Sequence, residues 1–203
     1  VAAAGAKRVV VNVHHHAGLI ERFVEEHDFG VEVTLSPEPE RPLETGGGLL
    51  HARGLFRAGE SILMHNVDVL TDFPLADLVA RQEAGAALAT LAVQERDTAR
   101  QLLFDETGLF GREDRRDGSR REVRPPRGAV RALAFSGIHA GSPALPGLDT
   151  ERGVFGIVDV YLRLAGEGRV IAPWVPERGR WLEIGNLERL EAARALLGRG
   201  RPA

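Results

Sequence analysis

The sequence predicts an open α/β fold on a mostly parallel sheet, with a smaller antiparallel part towards the carboxyl end. Three observations predict it. Apolar runs alternate with amphipathic stretches as far as residue 93. The first run, RVVVNV at 8–13, is β-branched and nearly all apolar, the pattern of a strand covered by helices on both faces. After residue 100 the segments shorten and turns separate them, which suggests antiparallel pairing.

The strand at 8–13 leads into a helix over 17–28, where Leu19, Ile20, Phe23 and Val24 recur at helical spacing and Gly30 closes the segment. Residues 31–35 (VEVTL) alternate and read as a second strand. A proline-rich stretch, SPEPERPLE, then Thr45 and three glycines form a loop feeding a short helix in LLHARGLF. Residues 61–66 (SILMHN) form another apolar strand, and polar residues gather at its carboxyl end in NVDVLTD. A helix over 75–84, stopped by Gly85, precedes a strand at 87–93. Short strands at 101–104, 108–111 and 130–140 come next, followed by a helix over 156–166. A strand at 169–174, a short strand at 180–184 and a helix over 187–197 complete the chain. No repeat or low-complexity stretch divides it, so residues 1–203 read as one domain.

Hydrophobic residues make up 43% and charged residues 27% of the 203, enough apolar surface for a core. The formal charge of −3 gives no electrostatic footprint for nucleic acid. A basic cluster from Arg112 to Arg131 also holds Glu113, Asp114, Asp117 and Glu122, and reads as a solvated loop or hairpin. The absence of cysteine excludes disulfides and thiolate catalysis. No apolar run approaches the ~18 residues that span a membrane. Neither nucleic acid nor a membrane is an expected partner, and a reducing cytoplasm is the simplest setting. The chain opens on Val1, and VAAAGAKRVVVNV reads as a helix tail, a stop at Gly5 and a strand. The expectation is a chain that has lost a preceding segment; processing of a native start is the alternative.

Asp68 is the first candidate for chemistry. It lies just past the carboxyl end of a buried strand, where open α/β sheets bind ligands. A carboxylate there can hold Mg²⁺, which takes oxygen ligands and bridges phosphates; the alternative is a turn aspartate bonded to its own backbone. Asp72, four residues on, reads as a cap or loop residue. Glu183, inside the apolar run Trp181-Leu182-Glu183-Ile184, either meets a polar partner or coordinates a ligand, because burying it alone is costly. In Glu44-Thr45-Gly46-Gly47-Gly48 the glycines allow close approach to the backbone, and N–H groups at a helix start favour an anion or an acceptor-rich base. The alternative is a flexible turn, and no Gly-Lys-Ser/Thr follows to make a P-loop. His14, His15 and His16 cannot converge on one ion, because neighbours on a strand point to opposite faces. Ser136-Gly137 lacks the GxSxG context of a hydrolase nucleophile.

Six segments in order, VVVNVHHHA, LETGGGLLHA, ILMHNVDVLTD, AFSGIHA, GVFGIVDVYLRLA and WLEIGNLERLEAA, resemble the sugar-1-phosphate nucleotidyltransferase family. The branch they resemble contains N-acetylmuramate-1-phosphate uridylyltransferases and mannose-1-phosphate guanylyltransferases. The resemblance implies a Rossmann-like three-layer fold with a mixed, mostly parallel central sheet and a small antiparallel extension. It implies that a sugar 1-phosphate attacks the α-phosphorus of UTP or GTP, with Mg²⁺ as cofactor, giving a nucleotide sugar and pyrophosphate. Asp68 and Glu183 match the family's two metal-binding carboxylates. Gly46 and Gly47, with Glu44 and Thr45 beside them, match the backbone that reads the base. Gly137 matches the glycine that touches the sugar, and Asp159 lies where the branch often has a polar group near the sugar.

The sequence also departs from that pattern. Asn66-Val67 replaces the Gly-Asp before the metal aspartate, Glu183 stands where Asp is usual, and Asn186 replaces a Thr or Ser. Nothing in the 203 residues resembles the family's GxGTRxRP loop, which wraps the triphosphate, or the first strand before it. In the family that strand lies between those matching 8–13 and 61–66. The expectation is a gap between these two strands, or their collapse onto each other, and a polypeptide that does not turn over alone. A degenerate module that only binds nucleotide sugars is the competing reading. A dehydrogenase is disfavoured, because no GxGxxG follows a strand.

Overall fold

A computed structural model describes residues 2–148 and 150–198; Val1, on which the reading of the chain start partly rests, lies outside them. The chain forms strands β1 (Arg8–Val13), β2 (Glu32–Pro37), β3 (Ile62–His65), β4 (Val69–Thr71), β5 (Ala89–Gln94) and β6 (Arg100–Asp105). Strands β7 (Gly108–Asp114), β8 (Ser119–Glu122), β9 (Arg131–Gly141), β10 (Ile171–Trp174) and β11 (Trp181–Glu183) follow. The helices are α1 (Ala17–Glu26), α2 (Glu44–His51), α3 (Leu75–Ala84), α4 (Ile157–Gly166) and α5 (Leu187–Gly198).

The fold is α/β with a mixed central sheet. Its strand order is β10-β5-β9-β6-β7-β8, and β3 pairs with β9 off that path. Strand β10 runs parallel to β5, while β9 runs antiparallel to β3, β5 and β6. Side chains of β5 alternate between two cores, as a pleated strand requires. Leu91 and Val93 pack with Val160, Tyr161 and Leu164 of α4 on one face. Ala92 packs with Leu75 and Leu78 of α3 on the other. Helix, sheet and helix make three layers. The basic cluster forms the β7–β8 hairpin, where Arg112, Arg115 and Arg120 pair with Asp159, Asp97 and Glu113. No helix among the described residues is long and apolar enough to cross a membrane.

Strands β1 and β2 form a separate parallel pair. Among the described residues, β1 pairs only with β2 and β3 only with β9, so the two strands expected to flank a gap have not collapsed onto each other. The expectation that β1 is buried on both faces does not hold: Val9, Val10 and Val11 are only half-buried, and Val13 alone is enclosed. The reason is that one edge and one side of β1 open onto a cleft. Helix α1 packs loosely as well, with Leu19 57% and Phe23 53% exposed. The three glycines after Thr45 lie inside α2, not in a loop before it.

Candidate functional site

The cleft encloses about 2130 Å³ and is bounded by β1, the start of α2, β3 and the turn after β3. Asn12, Glu44, Thr45, Asn66, Asp68 and Gly185 all contribute to its wall. It exceeds the ~300–1,000 Å³ of an ordinary ligand pocket because it includes the open space between β1 and β3.

Asp68 stands in a tight turn at the carboxyl end of β3, closed by the Val69 N–H donating to the Asn66 carbonyl at 3.2 Å. Val67 is at its exposed tip. Strand β4 then pairs antiparallel with β11, setting Val69 opposite Glu183. The Ile184 N–H donates to the Asp68 carbonyl at 2.7 Å and ties the two segments together. A Cβ on Gly185 would stand 3.3 Å from the Asp68 carboxylate and 3.4 Å from that of Glu183. The two candidates, 115 positions apart in sequence, therefore converge on one space that a glycine leaves vacant.

Their partners differ. No hydrogen bond to the Asp68 carboxylate forms among the described residues, whereas Glu183 is ion-paired with Arg189 of α5. Arg96 adds a second positive charge nearby, its guanidinium 3.8 Å above the Trp181 ring. Burial lowers the Arg96 pKa from its ordinary value, and the Glu183 charge opposes that shift. Arg96, Trp181, Glu183 and Arg189 line a smaller cavity of about 310 Å³. The donor set fits Mg²⁺ in part: one or two carboxylates suffice where phosphates and water complete the shell. Among the described residues, no group of three or more His, Asp or Glu is placed to hold a metal ion.

Gly137 is brought to the same end of β3. Strand β9 bulges between Phe135 and His139, opposite Val93 and Leu91, and Gly137 sits in the bulge at φ +72°. The Asn66 N–H donates to its carbonyl at 2.9 Å. The Trp181 indole N–H donates to the Ser136 carbonyl at 2.7 Å, which links β11 to the bulge. Bulges commonly re-aim the chain beside active sites.

The glycine segment behaves differently from expectation. The Gly46 and Gly47 N–H groups both donate to the Phe155 carbonyl, at 3.0 and 3.1 Å, and both residues are buried. They are therefore not open donors. Glycine is required there by packing, since a Cβ on Gly46 would lie 2.6 Å from the Phe155 ring. The exposed part of the segment is Glu44, at φ +60°, and Thr45, whose hydroxyl accepts from the Ile157 N–H at 3.0 Å. Asp159 is not part of the cleft wall. Arg112 holds its exposed carboxylate at 3.0 Å and Arg121 approaches at 3.7 Å.

Asp72 is a loop residue that clamps Arg180, accepting from its guanidinium at 2.9 Å. Arg180 holds the Asp72 carboxyl below the usual carboxylate range. Of the three adjacent histidines, His14 bonds the Glu38 carbonyl, and His16, itself left-handed at φ +57°, precedes α1 with its carbonyl accepting from the Leu19 and Ile20 N–H groups. Sequence reasoning missed Asn12, Glu38, Asn66, Arg96 and Arg189. Only Glu38, a carboxylate between two prolines, carried a local signal.

No family model matches the chain. The N-acetylmuramate alpha-1-phosphate uridylyltransferase of Caulobacter vibrioides is 30% identical over 205 residues, covering 96% of this chain and 79% of that protein. A probable mannose-1-phosphate guanylyltransferase of Oryza sativa is 25% identical, over 89% of this chain and 49% of its own length. The chain thus spans about half the length of the rice relative. Among solved structures, a UDP-glucose pyrophosphorylase from Acinetobacter baumanii superposes with a TM-score of 0.76 at 15% identity, over 99% of this chain and 80% of that one. That likeness supports the fold.

Proposed function

The chain belongs to the sugar-1-phosphate nucleotidyltransferase family, and from that premise we propose that its cleft binds a nucleoside triphosphate and a sugar 1-phosphate for nucleotidyl transfer. A sugar-phosphate oxygen bonds to the α-phosphorus, the bond to the β-phosphate oxygen breaks, and pyrophosphate leaves with that electron pair. Such an in-line displacement needs positioning and charge neutralisation more than covalent help. The observation that carries the reading is the convergence of Asp68 and Glu183 beside Gly185, at the carboxyl end of β3.

Asp68 and Glu183 are the residues that would hold Mg²⁺. When bound, the ion would neutralise charge developing on the phosphates. Glu44 and Thr45, exposed on the α2 wall, are the proposed contacts to the nucleotide, with UTP or GTP as the proposed triphosphate. Gly46 and Gly47 serve by keeping that wall packed against α4. The Gly137 backbone is the proposed sugar contact, turned towards the β3 end by its bulge. Asp159, ion-paired with Arg112 of the hairpin, is the weaker candidate for a polar group near the sugar. The reaction is proposed to run in the cytoplasm.

The open space between β1 and β3 supports a further element of the proposal. A strand paired with both edges would complete one continuous sheet, and a loop following it would face Asp68 and the triphosphate. In that arrangement residues 1–203 supply the base, sugar and metal contacts but do not turn over alone. The decisive experiment incubates the protein with UTP or GTP and a panel of sugar 1-phosphates and follows pyrophosphate release. Binding of a nucleotide sugar with no release, even from a longer version of the chain, would favour the noncatalytic binding module instead.

A further inference from the structure

We propose that Glu38 is a positioning residue for the nucleotide-facing wall, holding the entry of α2 against β1; the assignment to a nucleotide rests on the function proposed above. Its side chain is 7% exposed and stands where the chain leaves β2. A buried carboxylate is retained only where hydrogen bonds replace its hydration. Each oxygen of Glu38 has such a partner. The Asn12 amide donates to Oε1 at 2.8 Å, and the Leu43 N–H donates to Oε2 at 2.8 Å. The same Asn12 amide nitrogen donates to the Gly48 carbonyl at 3.1 Å. The backbone is fixed as well: the Glu38 N–H donates to the Val13 carbonyl at 2.8 Å, and His14 bonds the Glu38 carbonyl.

Glu38 and Asn12 together thus connect the end of β1, the end of β2 and both ends of the glycine segment. Leu43 is where this matters. Its N–H is held by Glu38, and its carbonyl accepts from the Phe155 N–H at 3.2 Å. The next residue, Glu44, adopts φ +60°, a conformation costly for a non-glycine residue and sustained only when its surroundings determine it. Glu38 supplies one side of that determination and the start of α4 the other. The Glu44 and Thr45 side chains then project from a fixed point on the cleft wall. Glu38 lines the cleft but is 7% exposed and spends each oxygen on a protein donor, so the proposed role runs through α2.

The test compares wild type, Glu38→Ala and Glu38→Gln by amide hydrogen exchange and by titration with UTP, GTP and a sugar 1-phosphate. In E38A, exchange at residues 43–48 should accelerate by about tenfold or more, the size expected for losing a charge-assisted hydrogen bond. Exchange in β5 and β9 should not change. Triphosphate affinity should fall by a similar factor while sugar-phosphate affinity holds. E38Q keeps a carbonyl for the Leu43 N–H but turns an NH2 donor on the Asn12 amide, so it should recover both effects only in part. Exchange unchanged at 43–48, or faster everywhere alike, would overturn the role of Glu38 even if triphosphate binds. Wild-type protein that binds neither a triphosphate nor a nucleotide sugar would overturn the functional reading, whatever the exchange shows.

Discussion

Arg189 reaches back from α5 to the Glu183 carboxylate, so the longer of the two converging acids already has a cation, while no cation among the described residues pairs with Asp68. Glu183 is one methylene longer than the aspartate usual in the family, which lets it meet Arg189 and still approach Gly185. A divalent ion held by Asp68 and Glu183, as proposed, would compete with that guanidinium for Glu183. Arg189→Ala should therefore tighten Mn²⁺ binding, read by titration or by the loss of free-ion resonance signal. The gain should reach about fivefold at most, because a partly exposed pair is worth roughly 1 kcal/mol or less. Weaker binding in the variant would show that Arg189 supports the site instead of competing with it.

Asp68→Asn removes the carboxylate of the pair that has no hydrogen-bond or ion-pair partner among the described residues. In any version of the protein that turns over, this substitution should abolish Mg²⁺-dependent pyrophosphate release. It should leave the melting temperature nearly unchanged, since a substitution away from packed or bonded groups shifts stability by only about 0.5 kcal/mol. Near-wild-type turnover would refute the assignment of the ion to Asp68.

The sequence was most legible where local pattern decides structure. The apolar runs at 61–66 and 87–93 became β3 and β5 within two residues at each end. The helix at 75–84 was placed to the residue. The meeting of Asp68 and Glu183 was legible only through family resemblance, because an antiparallel pair of three-residue strands, β4 and β11, produces it. Strands that short carry no periodic signal. Glu38 offered only its place between two prolines, because its partners Asn12 and Leu43 lie on other elements, and the pairing of Arg189 with Glu183 depends on how α5 turns back on β11. The half-exposed β1 was misread because its valines report the strand's propensity, not whether both of its edges are covered.

Gly137 is held by two constraints that reinforce each other. Its φ of +72° disfavours any side chain, and a Cβ would lie 2.9 Å from the Asn66 amide nitrogen. Gly137→Ala should cost about 1–3 kcal/mol. For a chain of this size, that lowers the melting temperature by roughly 2–12 °C. If the bulge also presents backbone to the sugar, KM for the sugar 1-phosphate should rise more than KM for the triphosphate. An alanine variant with unchanged melting would mean that the bulge is easily remodelled.

His139 makes stability depend on pH from inside the core. Its ring is enclosed, with Nε2 2.9 Å from the Met64 sulfur and its edge against Tyr161. Burial, with a smaller contribution from the charge of His65, pushes its pKa down to about 3. In the unfolded chain the ordinary value of about 6.5 returns. Between those values the unfolded state takes up a proton that the folded state refuses, so acid favours unfolding. The contribution is fully present above about pH 6.5 and is lost as pH falls towards 3, by about 1.4 kcal/mol per unit. Urea unfolding of wild type and His139→Gln at pH 7.5, 6 and 4.5 would measure it. The variant should start less stable, having lost packing, and decline less steeply. The window stops at pH 4.5 because Asp105 and Glu151, both held below the usual carboxylate range by arginine partners, add acid sensitivity lower down. Parallel declines in the two proteins would mean that the buried imidazole finds a way to ionise in the folded state.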